Sequence, residues 1–332
     1  MIRVPSFLFS TPFSNSHFLQ MKTAGIIGGA GYIGSHITKK FLEEGYHVRV
    51  GTTDLSNKEK YAHLKAFPNA DHLEVVQLDV RNTSELETFL KGCNIVVHGG
   101  TPFQLEVKDP QTELFEPTIK GTENILHAIQ QVPTLEKVVF IASVAAYNTD
   151  FPLLPAGKKA GDRVSETDAP HMSEQSHPYA QAKFIANRTV NDFIAALPSL
   201  SFEITSVSPT GVMGMALSQR QDSTSMGIQY LFKNNIAPNP FIQMFYDNDI
   251  EFAIVDVKDV AEGIFKAATT SGLHGRNYLL SSESYHVSDV HAMLNGKDPL
   301  NAPQVVYDSG KAQRELGVKF GPARRTLEEY TA

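Results

Sequence analysis

The chain has a single cysteine, Cys93, among 332 residues. That excludes an internal disulfide and any metal centre built on several thiolates. In Lys91-Gly92-Cys93-Asn94 the thiol reads as a small core residue at the start of a strand. The 12 histidines show no metal-ligand spacing, so no metal is expected. Nowhere do about 20 apolar residues run together, which excludes a membrane-spanning helix. Positive charge is also short: 29 Lys and Arg against 36 Asp and Glu leave a net charge of -7. There is thus no basic footprint for nucleic acid and no polybasic patch for a membrane surface. Repeats and low-complexity segments are missing too. What is present is 42% hydrophobic and 20% charged residues, the composition of a soluble globular protein. The length suits two domains or one large one, and a reducing, cytoplasmic setting is expected.

Short apolar runs at 22–28, 46–52, 72–78, 94–98, 136–142 and 202–207 read as buried strands. Helical spacing fills most of the gaps, at 32–44, 57–67, 83–90, 112–131 and 177–197. This alternation predicts an α/β fold with a doubly wound parallel sheet over residues 22–208, to which 251–270 return. Residues 209–250 and 275–330 lose the alternation and are expected to form a smaller mixed α/β lobe for substrate, joined by the long loop 149–174. Residues 1–20 are rich in Phe and Ser, and Pro5 and Pro12 interrupt any signal-peptide core. With Met21 just ahead of the first strand, residues 1–21 read as a disordered extension or a start assigned too early.

Gly28-Gly29-Ala30-Gly31-Tyr32-Ile33-Gly34 falls between the first strand and the first helix. Glycines at 28, 31 and 34 permit a tight turn, close approach of a pyrophosphate and close helix–sheet packing, and the helix N-terminus offers free N–H groups to phosphates. In this setting the turn points to a Rossmann-type dinucleotide site. The second strand ends Val50-Gly51-Thr52-Thr53-Asp54, without the acidic residue that NAD usually wants or the cation that NADP wants. Thr52 and Thr53 can donate to a 2′-phosphate, Lys58 and Lys60 follow within reach, and Asp54 comes two residues late. NADP(H) is favoured over NAD(H). Asp79-Val80, after the third strand, suits a carboxylate accepting from the adenine amino group. Gly99, Gly100 and Thr101, after the fourth, let backbone approach the ribose and phosphates.

Ser143 ends the fifth strand, at the edge where open parallel sheets bind ligands. Tyr179 and Lys183 stand four apart near the start of a helical stretch, and so share one helix face. A cation beside a phenol favours the phenolate, so Tyr179 is expected to titrate below its free value of roughly 10. Ser143 can donate to a carbonyl oxygen, Tyr179 can supply that oxygen's proton, and Lys183 can hold the cofactor ribose.

Together Gly28-x-x-Gly31-x-x-Gly34, Asp79-Val80, Ser143 and Tyr179-x-x-x-Lys183 resemble the extended short-chain dehydrogenase/reductase superfamily. Lys91-Gly92-Cys93, Val97-His98, Thr101-Pro102, Lys108-Asp109-Pro110 and Pro117-Thr118-Ile119-Lys120-Gly121-Thr122 are similar to its dihydroflavonol reductase and cinnamoyl-CoA reductase branch, which includes microbial aldehyde and ketone reductases. The resemblance implies reduction of a small-molecule carbonyl by a monomer or homodimer. It places Asn148 facing substrate, Asn124 in a buried position, and Pro209 through Val212 beside the nicotinamide. The branch commonly has Arg where Thr53 stands here. The alternative on the same scaffold is an NAD-dependent nucleotide-sugar epimerase. Dehydration is disfavoured because Val144-Ala145 replaces the usual Asp-Glu, and a non-catalytic sensor would tend to have lost Tyr179 or Lys183.

Overall fold

A computed structural model describes residues 21–99, 109–197, 199–218 and 224–330. The proposed extension and the expected cofactor contacts Gly100 and Thr101 lie outside the described residues. The first half alternates β1 (Thr23–Ile27), α1 (Tyr32–Glu43), β2 (His47–Thr52), β3 (Leu73–Gln77), α2 (Thr83–Leu90), β4 (Ile95–His98), α3 (Glu116–Ile129), β5 (Lys137–Ile141), α4 (Pro178–Ala196) and β6 (Glu203–Pro209). The second half runs β7 (Gly211–Met213), α5 (Thr224–Asn234), α6 (Pro240–Asp247), β8 (Glu251–Asp256), α7 (Val257–Thr269), β9 (Arg276–Leu280), β10 (Glu283–His286), α8 (Val287–Leu294), α9 (Gly310–Leu316) and α10 (Ala323–Glu328).

Seven parallel strands form the main sheet, in the order β3-β2-β1-β4-β5-β6-β9. The order reverses between β1 and β4, which opens a crevice at the strands' C-terminal ends. One face packs Ile26, Val50 and Val97 against Ile37 and Phe41 of α1 and Val260 and Ile264 of α7. The other packs Val96, Val138 and Ile204 against Leu86 of α2, Ile125 of α3 and Val190 of α4. Both faces are covered, which is why these strands read as continuous apolar runs. Helix ends follow local chemistry. Asn82 caps α2 by accepting from the N–H groups of Ser84 (3.1 Å) and Glu85 (3.4 Å), and Gly45, at φ +80, turns the chain out of α1.

Three expectations change. Residues 57–67 form two 3-10 turns, Lys58–Lys60 and Ala62–Ala66, rather than one helix; Tyr61 interrupts them with φ −136. The stretch expected as one helix over 112–131 begins as a π turn, Gln111–Phe115, ahead of α3. The segments 251–270 and 275–330 exchange strands: β8 leaves the main sheet for a second, three-stranded sheet β10-β8-β7, while β9 joins the main sheet beside β6. Only α7 of the first segment returns, against α1. Each strand carries a buried apolar stretch, 252–255 in β8 and 278–280 in β9, and sequence gives these no means of choosing a sheet. Residues 209–250, expected within the mixed lobe, hold α5 and α6, which pack with β8, β10 and α8 around Phe232, Ile242 and Phe245.

The loop 149–174 is held by Asn148. This side chain is wholly buried. Its Nδ2 donates to Leu153 O at 2.7 Å and to the Tyr307 hydroxyl at 2.8 Å, and its Oδ1 accepts from Asp150 N at 3.1 Å. The expectation that Asn148 faces substrate is therefore corrected: both amide N–H groups and the carbonyl oxygen are engaged by the loop and by Tyr307.

Two predictions follow from this packing. Asn148→Ala leaves the buried Tyr307 hydroxyl and two part-buried backbone groups unpaired and is expected to lower stability by about 1–3 kcal/mol, read as a shifted urea midpoint with activity per folded molecule retained. A Cβ at Gly34 would stand 1.9 Å from Gly28 O. Gly34→Ala is accordingly expected to destabilise the first turn by about 1–3 kcal/mol, measured the same way, and to weaken dinucleotide binding.

Candidate active site

The glycine turn arises where β1 runs into α1. Gly28 takes φ +81, Gly31 N donates to Gly28 O at 3.0 Å, and no side chain caps α1. The first helical N–H groups are left for a ligand, and the bare Cα of Gly34 makes the close approach possible.

At the other end, Ser143 follows β5. Its Oγ accepts from Ala145 N at 3.2 Å, which fixes the hydroxyl at the sheet edge, and it is hydrogen-bonded to the Tyr179 side chain. Tyr179 sits in the first turn of α4, after Pro178, whose missing N–H is costless there. His177 Nδ1 accepts from Tyr179 N at 3.2 Å and anchors that turn. One turn on, Lys183 is 7% exposed, and its Nζ donates to Ile141 O at 3.1 Å.

One cavity of about 350 Å³ connects the two ends. Of the predicted cofactor and catalytic residues it is lined by Gly28, Gly31, Tyr32, Ile33, Gly34, Gly99, Ser143, Tyr179, Lys183, Pro209 and Val212. Its far wall is apolar: Phe151, Ile228, Phe241, Ile242, Phe245 and Phe252. The rings pack edge to face, with Phe241–Phe245 centroids at 4.7 Å and Phe151–Phe252 at 5.3 Å. None of these side chains carries a motif that marks it in the sequence, nor does His177, which sits two residues before Tyr179.

The adenosine end differs from expectation. Asp79 spends both carboxylate oxygens on Arg81, at 2.7 to 3.2 Å, which holds its carboxyl below the usual range. Val80 packs against Gly121. Thr52 is buried, Thr53 is exposed, and Lys60 is partly exposed on its 3-10 turn. Asp54 turns into its own loop, accepting from Ser56 N at 2.9 Å and Ser56 Oγ at 2.6 Å. Thr52, Thr53, Lys60, Asp79, Val80 and Asn148 do not line the cavity.

Electrostatics also depart from the simple pair argument. Burial raises the Tyr179 phenol well above its ordinary value, and only the Ser143 hydrogen bond pulls it down. The expectation of a lowered tyrosine is corrected: desolvation disfavours the phenolate, and the Lys183 ammonium is engaged with Ile141 O. Burial also lowers Lys183, to about 8.

The sequence profile of the NAD dependent epimerase/dehydratase family matches residues 24–281, more than half of the chain. The chain is 27% identical over 319 residues to a cinnamoyl-CoA reductase of Medicago truncatula, covering 92% of this chain and 93% of that protein. It is 30% identical over 310 residues to a bifunctional dihydroflavonol 4-reductase/flavanone 4-reductase of Malus domestica, covering 89% and 85%. Gre2 of Candida albicans, solved in complex with NADPH, shares the fold with a TM-score of 0.76 at 23% identity, covering 93% and 97%. The yeast methylglyoxal/isovaleraldehyde reductase Gre2, also complexed with NADPH, gives 0.74 at 22%, covering 92% and 96%. These relatives agree with the resemblance drawn from Gly28 through Lys183, and the chain belongs to the NAD dependent epimerase/dehydratase family.

Proposed function

We propose that this protein is an NADPH-dependent oxidoreductase that reduces the carbonyl of an uncharged, largely apolar aldehyde or ketone. One observation carries the reading. The hydrogen-bonded Ser143 and Tyr179 lie in a cavity that has the glycine turn at one end and a wall of phenylalanines at the other. The uncapped start of α1 and the cradle at Gly34 fit a pyrophosphate. NADPH is supported by the two reductase structures solved with it and by Asp54, whose carboxylate is folded into its own turn rather than offered to ribose hydroxyls. Thr53 and Lys60 are the side chains assigned to the 2′-phosphate.

When bound, the nicotinamide supplies the hydride. The protein holds the carbonyl oxygen with the Ser143 hydroxyl and gives it a proton from Tyr179. A phenol raised by burial is fully protonated at neutral pH, which suits an acid in the reductive direction. As the proton leaves, the Lys183 ammonium one helical turn away favours the phenolate that remains. The phenylalanine wall excludes water and seats the substrate's apolar part. Among the described lining residues Lys183 is the one Lys or Arg. Among these residues a sugar diphosphate finds no cation on the phenylalanine side, which disfavours the epimerase reading.

The direct test is NADPH and NADH oxidation against small aldehydes, diketones and aromatic ketones, with UDP-sugars as controls. Turnover is expected with apolar carbonyls and NADPH, and Tyr179→Phe is expected to lower kcat by about 10²–10⁴ with the NADPH Kd nearly unchanged. A variant that keeps most of kcat would remove Tyr179 from the mechanism. Lys183 acts as the ammonium, which is lost as pH rises through about 8. The kcat/KM for NADPH, which reports groups of the free enzyme, is therefore expected to be flat below pH 7 and to fall above about 8.

A further inference from the structure

His98 closes β4 and is 7% exposed. Side chains alternate along a strand. Ile95 and Val97 face α1 and α7, and Val96 faces α2, α3 and α4. His98 therefore shares the face of Val96. In register it lies opposite Phe140, with ring centroids at 5.5 Å in an edge-to-face contact. The residue after Phe140 is Ile141, whose carbonyl accepts from Lys183. His98 is thus brought beneath the reacting groups, on the same side of the sheet as α4. Its Nδ1 is buried without a hydrogen-bond partner among the described residues.

A buried orphan acceptor costs stability unless something donates to it. Among the described residues, the charged donor that acts on His98 is Lys183. An ammonium has three N–H groups. One goes to Ile141 O, and one is expected from the sequence pattern to reach the cofactor ribose. We propose that His98 is a positioning residue for the reaction: its Nδ1 accepts the third N–H of Lys183, directly or through one buried water, and keeps that side chain an oriented ammonium beneath Tyr179.

The surroundings support this division of labour. Burial and the Lys183 charge hold His98 neutral, with its titration near 3, so at working pH it is an acceptor rather than a second cation. Among the described residues Lys183 is the one charged group acting on it, and no charged side chain offsets the desolvation of Lys183. Its strand neighbours in register on β1 and β5, Ile27 and Phe140, are apolar. A neutral nitrogen acceptor can thus favour the ammonium without the burial cost of a carboxylate.

The inference rests on the proposed reductase reading, and its first test does not need activity. With ¹⁵N-labelled histidine, the His98 signals at pH 7 are expected to show a neutral ring protonated on Nε2 with Nδ1 accepting. A ring protonated on Nδ1, or a cationic ring, would overturn the proposal whether or not the protein reduces carbonyls. The second test is kinetic. His98→Phe keeps an aromatic ring on Phe140 but removes the acceptor, whereas His98→Gln restores a side-chain oxygen. In the Phe variant the alkaline fall of kcat/KM for NADPH is expected about one unit lower, the scale of one hydrogen bond to a charged group, with little change in the substrate KM. The Gln variant should return it toward the original. A Phe profile that superposes on the unmodified protein's, or a Gln variant as impaired as the Phe one, would reduce His98 to a packing residue. If His98→Phe does not fold, the tautomer measurement and the Gln profile still decide.

Discussion

A buried ammonium joins the two elements that make the site. Lys183 reaches from α4 to the carbonyl of Ile141 at the end of β5, and that bond sets the helix start against the strand end. Ser143, two residues beyond Ile141, and Tyr179, one turn before Lys183, are hydrogen-bonded to each other as a result. The same burial that fixes the geometry sets the proton chemistry. It raises the phenol and lowers the ammonium, so each is displaced toward its neutral form. Neutral tyrosine is the proton-loaded form, which the acid role proposed for Tyr179 requires.

The small lobe is tied to this frame through the glycine turn rather than through the catalytic pair. The Tyr32 hydroxyl donates to Gly214 O at 2.9 Å, and His36 Nε2 pairs with Met215 O at 2.9 Å. Gln229 of α5 brackets the same peptide, accepting from Gly214 N at 2.9 Å. Gly214 takes φ +126, beside Val257 and Thr326, where a side chain would strain the backbone. One face of α1 therefore serves two purposes: its N-terminus is open to phosphate, and its Tyr32 and His36 hold the strand that leads to the phenylalanine wall. The specificity end of the cavity is positioned by the cofactor end.

Much of this was legible because it is local. Glycines three apart between an apolar run and a helix allow one backbone path, and residues four apart on a helix must share a face. Asn82 caps α2 through bonds to residues only two and three positions on. Legibility failed where a side chain chooses among distant partners. Asp79 looked available for adenine, yet Arg81 two residues later takes both its oxygens. Asn148 looked ready for substrate, yet Tyr307, 159 positions away, claims it. The 57–67 segment has helical spacing, but Tyr61 leaves the helical region and sends its hydroxyl to Leu55 O at 2.8 Å.

By itself the sequence determined the doubly wound alternation, the phosphate turn and the order Ser143, Tyr179, Lys183, since each depends on short-range spacing and backbone sterics. Tertiary structure decided the rest. It chose which sheet took β8 and which took β9, because two strands with buried apolar stretches compete on equal terms until their neighbours are in place. It gathered Phe151, Phe241, Phe245 and Phe252 from three separate segments into one wall. It also reversed the expected shift of Tyr179, because desolvation is a property of everything packed around a group and cannot be read from the residue four positions away.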